Sequence, residues 1–116
     1  MAEQPGKMSQ QSLLDQMQSY VSRHYQLPVE KVTLMLPSFL DVLRNHLNDL
    51  ENVLADEDPL PLGRVGHTLK GALLNMGLAD LAEIAADIEV EGKAGNQNFN
   101  YAGLVRKLRE GLSEIL

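Results

Sequence analysis

Apolar residues recur at spacings of three and four along most of the chain, and this pattern constrains the fold more than any other feature of the sequence. The pattern is longest between Pro28 and Ala55, where it forms one stripe: Val32, Leu36, Phe39, Leu43, Leu47, Leu50 and Leu54. A helix with such a stripe is stable when the stripe is buried against other helices. No stretch shows the sustained alternation or the clustered β-branched residues that are typical of strands. The sequence therefore predicts an all-α protein.

Helix start and stop signals divide the chain into segments. Ser12 followed by Asp15 resembles a capping pair that begins a first helix, and Asp58 followed by Pro59 marks the start of the third. The glycines and amides of residues 92–98 indicate a loop. The expected helical segments are one that begins near Ser12, one from about Pro28 to Ala55, one that begins at Asp58, one from about Leu78 to Glu91 and one from about Phe99 to Leu116.

Amphipathic segments joined by short loops predict an antiparallel four-helix bundle with an additional N-terminal helix packed across one end. The 116 residues fit a single domain, expected over residues 9–116 behind a flexible tail at residues 1–8. Inside the second segment, Pro37 removes one backbone donor and crowds the preceding turn. We therefore expect a kink or a break after Leu36.

Composition narrows the classes of function. A net charge of -6 with scattered Lys and Arg argues against nucleic-acid binding, and the absence of cysteine excludes a disulfide or a thiolate metal site. No apolar run reaches membrane-spanning length, and the N-terminus lacks the apolar core of a signal peptide. We expect a cytoplasmic monomer without a membrane segment. The initial Met and the length favour a free-standing protein over a piece of a longer hybrid kinase.

The third segment has two different sides when residues are placed about 100° apart around a helix axis. The predicted core side contains Leu62, Val65, Leu69, Ala72, Leu73 and Met76. The predicted solvent side contains Leu60, Gly63, Arg64, His67, Lys70, Gly71, Leu74 and Asn75. The solvent side is unusual because it combines an imidazole, two cations, two glycines and two leucines.

His67 is the candidate reactive residue of that side. A neutral, exposed imidazole offers a lone pair that can attack phosphorus, and Lys70 one turn away would place a positive charge beside incoming phosphoryl oxygens. Glycine in a helix costs about 1 kcal/mol relative to alanine, and Gly71 has a reason to be present because it leaves space beside the imidazole. Gly66 is expected to ease helix packing. Periodicity alone also permits an incidental surface histidine.

The run HTLKGALLNMG, from His67 to Gly77, closely resembles the motif of histidine-containing phosphotransfer (HPt) domains. That motif has His, Lys at plus three, Gly at plus four and Gly at plus ten, and all four positions match. The following LADLAEIAADIE resembles the family's next helix, which ends in an acidic residue, and the likeness extends upstream to Phe39 and Leu40. Ala72 departs from the family, since many members have Ser there, and this leaves the orientation of the other ring nitrogen open.

The resemblance implies that His67 takes a phosphoryl group from the aspartate of one receiver domain, in a hybrid sensor kinase, and passes it to that of a response regulator. The more exposed ring nitrogen would be the acceptor, assisted by Lys70 and Gly71. The receiver would supply Mg²⁺, so the chain would need no metal or cofactor of its own. The expected receiver contacts are Leu60, Arg64, Leu74 and Asn75.

Two other classes of protein remain as alternatives. A kinase dimerisation domain also carries a phosphorylated histidine on a helical bundle, but there an acidic residue usually follows the histidine, whereas this chain has Thr68. No P-loop or glycine-rich kinase loop is present, so a phosphoryl carrier is expected rather than an enzyme. A helical adaptor or scaffold without a phosphorylated histidine is the second alternative.

Overall fold

A computed structural model describes residues 12–116, which form five α-helices and no strand. The helices are α1 (Leu13–His24), α2 (Val29–Leu54), α3 (Pro59–Asn75), α4 (Ala79–Lys93) and α5 (Tyr101–Leu112). The predicted all-α class is therefore confirmed over these residues. The tail predicted at residues 1–8 lies outside the described residues.

Helices α2 to α5 form the bundle. Each packs against its neighbour in the chain, with α3 and α4 in the most extensive contact, and α5 returns to α2 and closes the ring. Helix α1 packs against α2, and its N-terminus reaches the end of the chain, where the backbone N–H of Leu13 donates to the carboxylate of Glu114 at 3.1 Å. The predicted bundle with an additional N-terminal helix is confirmed.

The core lies between the helices of the bundle and includes Met17 of α1. Its fully buried side chains include those that the apolar stripes predict: Leu43, Leu47, Leu50, Leu62, Leu69, Leu73, Ile88, Leu108 and Leu112. On α3, Val65 and Ala72 pack against this cluster and Met76 is buried in it. The predicted core side of α3 is therefore confirmed.

The predicted helix starts are also confirmed. The Ser12 hydroxyl accepts the backbone N–H of Asp15 at 3.0 Å, and the Asp58 carboxylate accepts that of Leu60 at 3.1 Å with Pro59 in the first turn. Each side chain satisfies a backbone donor that has no partner within its helix. The Asp58 cap fixes the start of α3, the helix that carries His67.

Predictions differ from the structure in three helices. Helix α5 begins at Tyr101 and ends at Leu112, inside the predicted span from Phe99 to Leu116. We predicted a kink or a break after Leu36; helix α2 continues through Pro37, so the break is wrong and the kink stays a prediction. Proline removes only one donor, and because Thr33 and Pro37 are both exposed, the carbonyl left without a partner can bind water. Helix α4 extends beyond Glu91 to Lys93, which places Lys93 one turn after Glu89.

Candidate functional site

Helices α3 and α4 approach each other closely because glycines line their contact. A Cβ on Gly66 would lie 3.1 Å from the carbonyl oxygen of Ala85, and a Cβ on Gly63 would lie 2.8 Å from the backbone nitrogen of Lys93. The prediction that Gly66 eases packing is confirmed. The placement of Gly63 on the solvent side is wrong, since it is buried against α4, and angular position around one helix cannot show where the next helix lies.

The His67 imidazole stands at the edge of this contact, with 60% of its side chain exposed. Its Nδ1 lies 2.7 Å from Oε2 of Glu89, whose side chain is only 11% exposed. An ionised carboxylate can only accept a hydrogen bond, so Nδ1 carries the proton and donates it. The lone pair is then on Nε2, for which residues 12–116 provide no hydrogen-bond partner.

Glu89 is the centre of a cluster of four charged or polar groups. Lys70 Nζ lies 2.6 Å from Oε1, and Lys93 Nζ lies 2.7 Å from Oε2, the oxygen that also accepts from His67. The hydrogen bonds from Lys70 and then Lys93, with a smaller one from His67, lower the pKa of Glu89 to about 2, although burial acts in the opposite direction. Glu89 is therefore ionised at neutral pH.

The predicted site residues lie together on this side of the molecule. Lys70 is within one turn of His67, but its ammonium is bound to Glu89 and its side chain is 29% exposed. Apart from its chain neighbours and the adjacent backbone of α3, no atom of residues 12–116 lies within 4 Å of a Cβ built on Gly71, so the predicted gap one turn from the imidazole is present. The four predicted contact residues, Leu60, Arg64, Leu74 and Asn75, are all exposed.

An apolar groove next to this surface was missed by sequence reasoning. It lies between α1, α2 and α3, has a volume of about 410 Å³ and shares Asn75 with the predicted contact residues. Its apolar lining comprises Val21, Leu27, Met35, Phe39, Val42, Ala72 and Met76. Periodicity identified Phe39 only as a core residue, because it could not show that α1 and α2 leave a depression there.

Glu89 and Lys93 are the site residues that the sequence did not reveal. Glu89 lies 22 residues from His67 on another helix, so no spacing within α3 could indicate it. The one signal was the acidic end of LADLAEIAADIE, a feature of the family resemblance. Glu89 also settles the question raised by Ala72, because the carboxylate, and not a hydroxyl at position 72, orients Nδ1.

No group of three or more His, Cys, Asp or Glu side chains within residues 12–116 is arranged to hold a metal ion. None of the five helices is both long and apolar enough to cross a membrane.

The described residues form a helical bundle in which one helix presents an exposed imidazole and the next supplies a carboxylate that accepts a hydrogen bond from its Nδ1. The Hpt domain family matches residues 34–115, which is more than half of the chain, and the chain belongs to this family. Hpt domains act in histidine phosphotransfer within phosphorelays, as carriers rather than as kinases. No curated protein and no solved structure matched the chain in the corresponding searches.

Proposed function

We propose that this protein carries a phosphoryl group on Nε2 of His67, between the aspartates of two receiver domains. The observation that carries the proposal is the hydrogen bond from Nδ1 to Glu89, which leaves the lone pair on the exposed ring nitrogen. A nucleophile must present its lone pair to the incoming group, and a fixed tautomer keeps it there.

The transfer needs no proton movement on this chain. The Nε2 lone pair forms the N–P bond while the P–O bond of the receiver's aspartyl phosphate breaks, and the leaving carboxylate keeps that electron pair. The imidazole retains its Nδ1 proton and becomes positively charged, and Glu89 is positioned to stabilise this charge. The reverse sequence returns the group to the aspartate of a second receiver.

Lys70 and Gly71 would serve the phosphoryl group itself. The open space at Gly71 admits the group and the receiver backbone, and the Lys70 ammonium can turn from Glu89 towards the phosphoryl oxygens. A cation beside these oxygens offsets the charge that develops during transfer. In this proposal the receiver supplies Mg²⁺, and the chain needs no cofactor of its own.

The receiver would dock on the exposed residues around His67. Leu60 and Leu74 offer apolar contact on either side of the imidazole, while Arg64 and Asn75 offer polar contact. Because the apolar groove between α1, α2 and α3 adjoins Asn75, we extend the docking surface into it. In this proposal the partners are the receiver domains of a hybrid sensor kinase and a response regulator, and the carrier is a cytoplasmic monomer.

Transfer from phosphorylated receiver domains of the source organism tests this function. We expect the purified protein to gain a label that is labile in acid and stable in alkali, as phosphohistidine is. His67→Gln should abolish the label, whereas the matched variant His46→Gln, which changes a histidine of α2, should keep it. A label that persists in His67→Gln would contradict the assignment of the residue. A native protein that no receiver labels would favour the adaptor or scaffold alternative.

A further inference from the structure

The site contains two ammonium groups, although one would neutralise the charge of its single carboxylate. Glu89 carries one negative charge and binds both Lys70 and Lys93, on different oxygens. Phosphotransfer as proposed above requires one of these lysines to leave Glu89 for the phosphoryl group. A side chain that is only 11% exposed and ionised is costly to leave without a cation, so the second lysine has a specific part to play.

The two lysines lie on opposite sides of His67 along α3. The backbone of Lys93 is level with Gly63, one turn before His67, because a Cβ on Gly63 would lie 2.8 Å from its nitrogen. Lys70 lies on the other side, beside the open space at Gly71. Lys70 is therefore the lysine that can reach a group entering this space, and Lys93 is the one that stays.

We infer that Lys93 is a positioning residue of the phosphotransfer site, whose ammonium holds Glu89 ionised and in place while Lys70 turns to the phosphoryl group. This inference rests on the proposed function. No bond to phosphorus involves Lys93 at any step. Its position on Oε2, the same oxygen that accepts from Nδ1, lets it hold the oxygen that orients the imidazole.

The charges of the cluster support this division of roles. Before transfer the ring is neutral, and Glu89 and the two lysines together carry a net positive charge. After transfer the phosphoryl group adds a charge of about −2, and the ring, which keeps its Nδ1 proton, becomes positively charged. The phosphorylated cluster is then close to neutral when both lysines are present. Without Lys93 it carries a net negative charge, and Lys70 would have to serve a carboxylate and a phosphoryl group at once.

An ordinary exposed pair four residues apart on a helix would have a different effect. Such a pair contributes about 0.3–0.5 kcal/mol to helix stability and nothing to the reaction. Lys93 is 55% exposed, so its loss should leave the fold intact under either reading. The two readings are separated by whether Lys93 affects the reaction, and whether that effect depends on Glu89.

The test is a double-mutant cycle on the rate at which phosphoramidate, a small phosphoryl donor that needs no docking, labels His67. The variants are Lys93→Met, Glu89→Gln and both together, with Lys93→Arg as the rescue and Lys107→Met as a matched change of charge on α5. Far-ultraviolet circular dichroism and the urea midpoint verify that every variant is folded.

We expect Lys93→Met to slow labelling about tenfold, the effect of losing one charge-assisted hydrogen bond. In the Glu89→Gln background the same change should alter the rate less than about twofold, because Lys93 acts through the carboxylate that this variant lacks. Lys93→Arg should restore the native rate, and Lys107→Met should keep it.

Equal losses in both backgrounds, or no loss from Lys93→Met, would overturn the role of Lys93 and leave the proposed function standing. A native protein that is not labelled on His67 by phosphoramidate or by any receiver would overturn the proposed function and this inference with it.

Discussion

Replacement of Glu89 by Gln tests how much the charged cluster contributes to the stability of the bundle. Glutamine has nearly the same shape and can still accept the Nδ1–H of His67, so the change removes mainly the negative charge. The pKa of Glu89 lies at about 2 instead of the ordinary 4.5 because Lys70 and Lys93 donate to the carboxylate. This contribution belongs to the folded state, since the lysines are brought to Glu89 by the packing of α3 on α4 and by the last turn of α4.

The expected magnitude follows from that decrease in pKa. A carboxyl group with a pKa of about 2 when folded and 4.5 when unfolded contributes about 3 kcal/mol to folding at neutral pH in the absence of solvent screening. Both lysine side chains are partly exposed, and screening reduces the contribution to on the order of 1–2 kcal/mol. Because the folded pKa is the lower one, this stability is fully present above the unfolded pKa and is lost as the pH falls from 4.5 towards 2.

Urea unfolding of the native protein and of Glu89→Gln, followed by circular dichroism between pH 7 and pH 3, measures the effect. Glu89→Gln should be less stable by on the order of 1–2 kcal/mol at pH 7, and this difference should shrink steadily as the pH falls below 4.5. The other carboxylates cancel because they are common to both proteins. A difference that stays constant with pH, or no difference at pH 7, would refute the account of the cluster.

Three further changes test the fold and the docking surface. Asp58→Ala removes the cap of α3 and should lower the free energy of unfolding by about 1 kcal/mol in the same urea assay, whereas an unchanged value would show that water replaces the cap. Gly77→Ala should cost about 1–3 kcal/mol, because this residue has φ of +77° and an added Cβ would meet the ring of Tyr20, and a stable variant would contradict the packing at the end of α3. Val42→Glu in the apolar groove should slow transfer from a receiver but not from phosphoramidate. The control Leu34→Glu, on the part of α2 outside the groove lining, should leave both rates unchanged. Equal effects of the two variants would place docking elsewhere.

Local signals made much of the fold predictable. Caps, glycines and apolar spacing act within a few residues, so the starts of α1 and α3 and the core side of α3 follow from the sequence itself. Gly77 lies just after α3 with a positive φ, a conformation that glycine adopts readily. The predicted break at Pro37 was wrong because Pro37 is exposed, and at an exposed position water can replace the missing hydrogen bond.

The candidate site was only half predictable, because its chemistry depends on contacts between helices. His67, Lys70 and Gly71 share one helix, and their relative positions follow from helical spacing. The partner of Nδ1 and the ion pair of Lys70 both come from Glu89 on α4, and the burial of Gly63 comes from the same contact. Spacing along α3 contains no information about which residue of α4 faces it.

The central claim is that Nε2 of His67 accepts the phosphoryl group because Glu89 occupies Nδ1. The most direct measurement is nuclear magnetic resonance of the phosphorylated protein with ¹⁵N-labelled histidine, in which the coupling between ³¹P and ¹⁵N identifies the bonded nitrogen. The account predicts one N–P bond, at Nε2 of His67, with the proton retained on Nδ1. Phosphorus on Nδ1 of His67, or on His24 or His46, would contradict it.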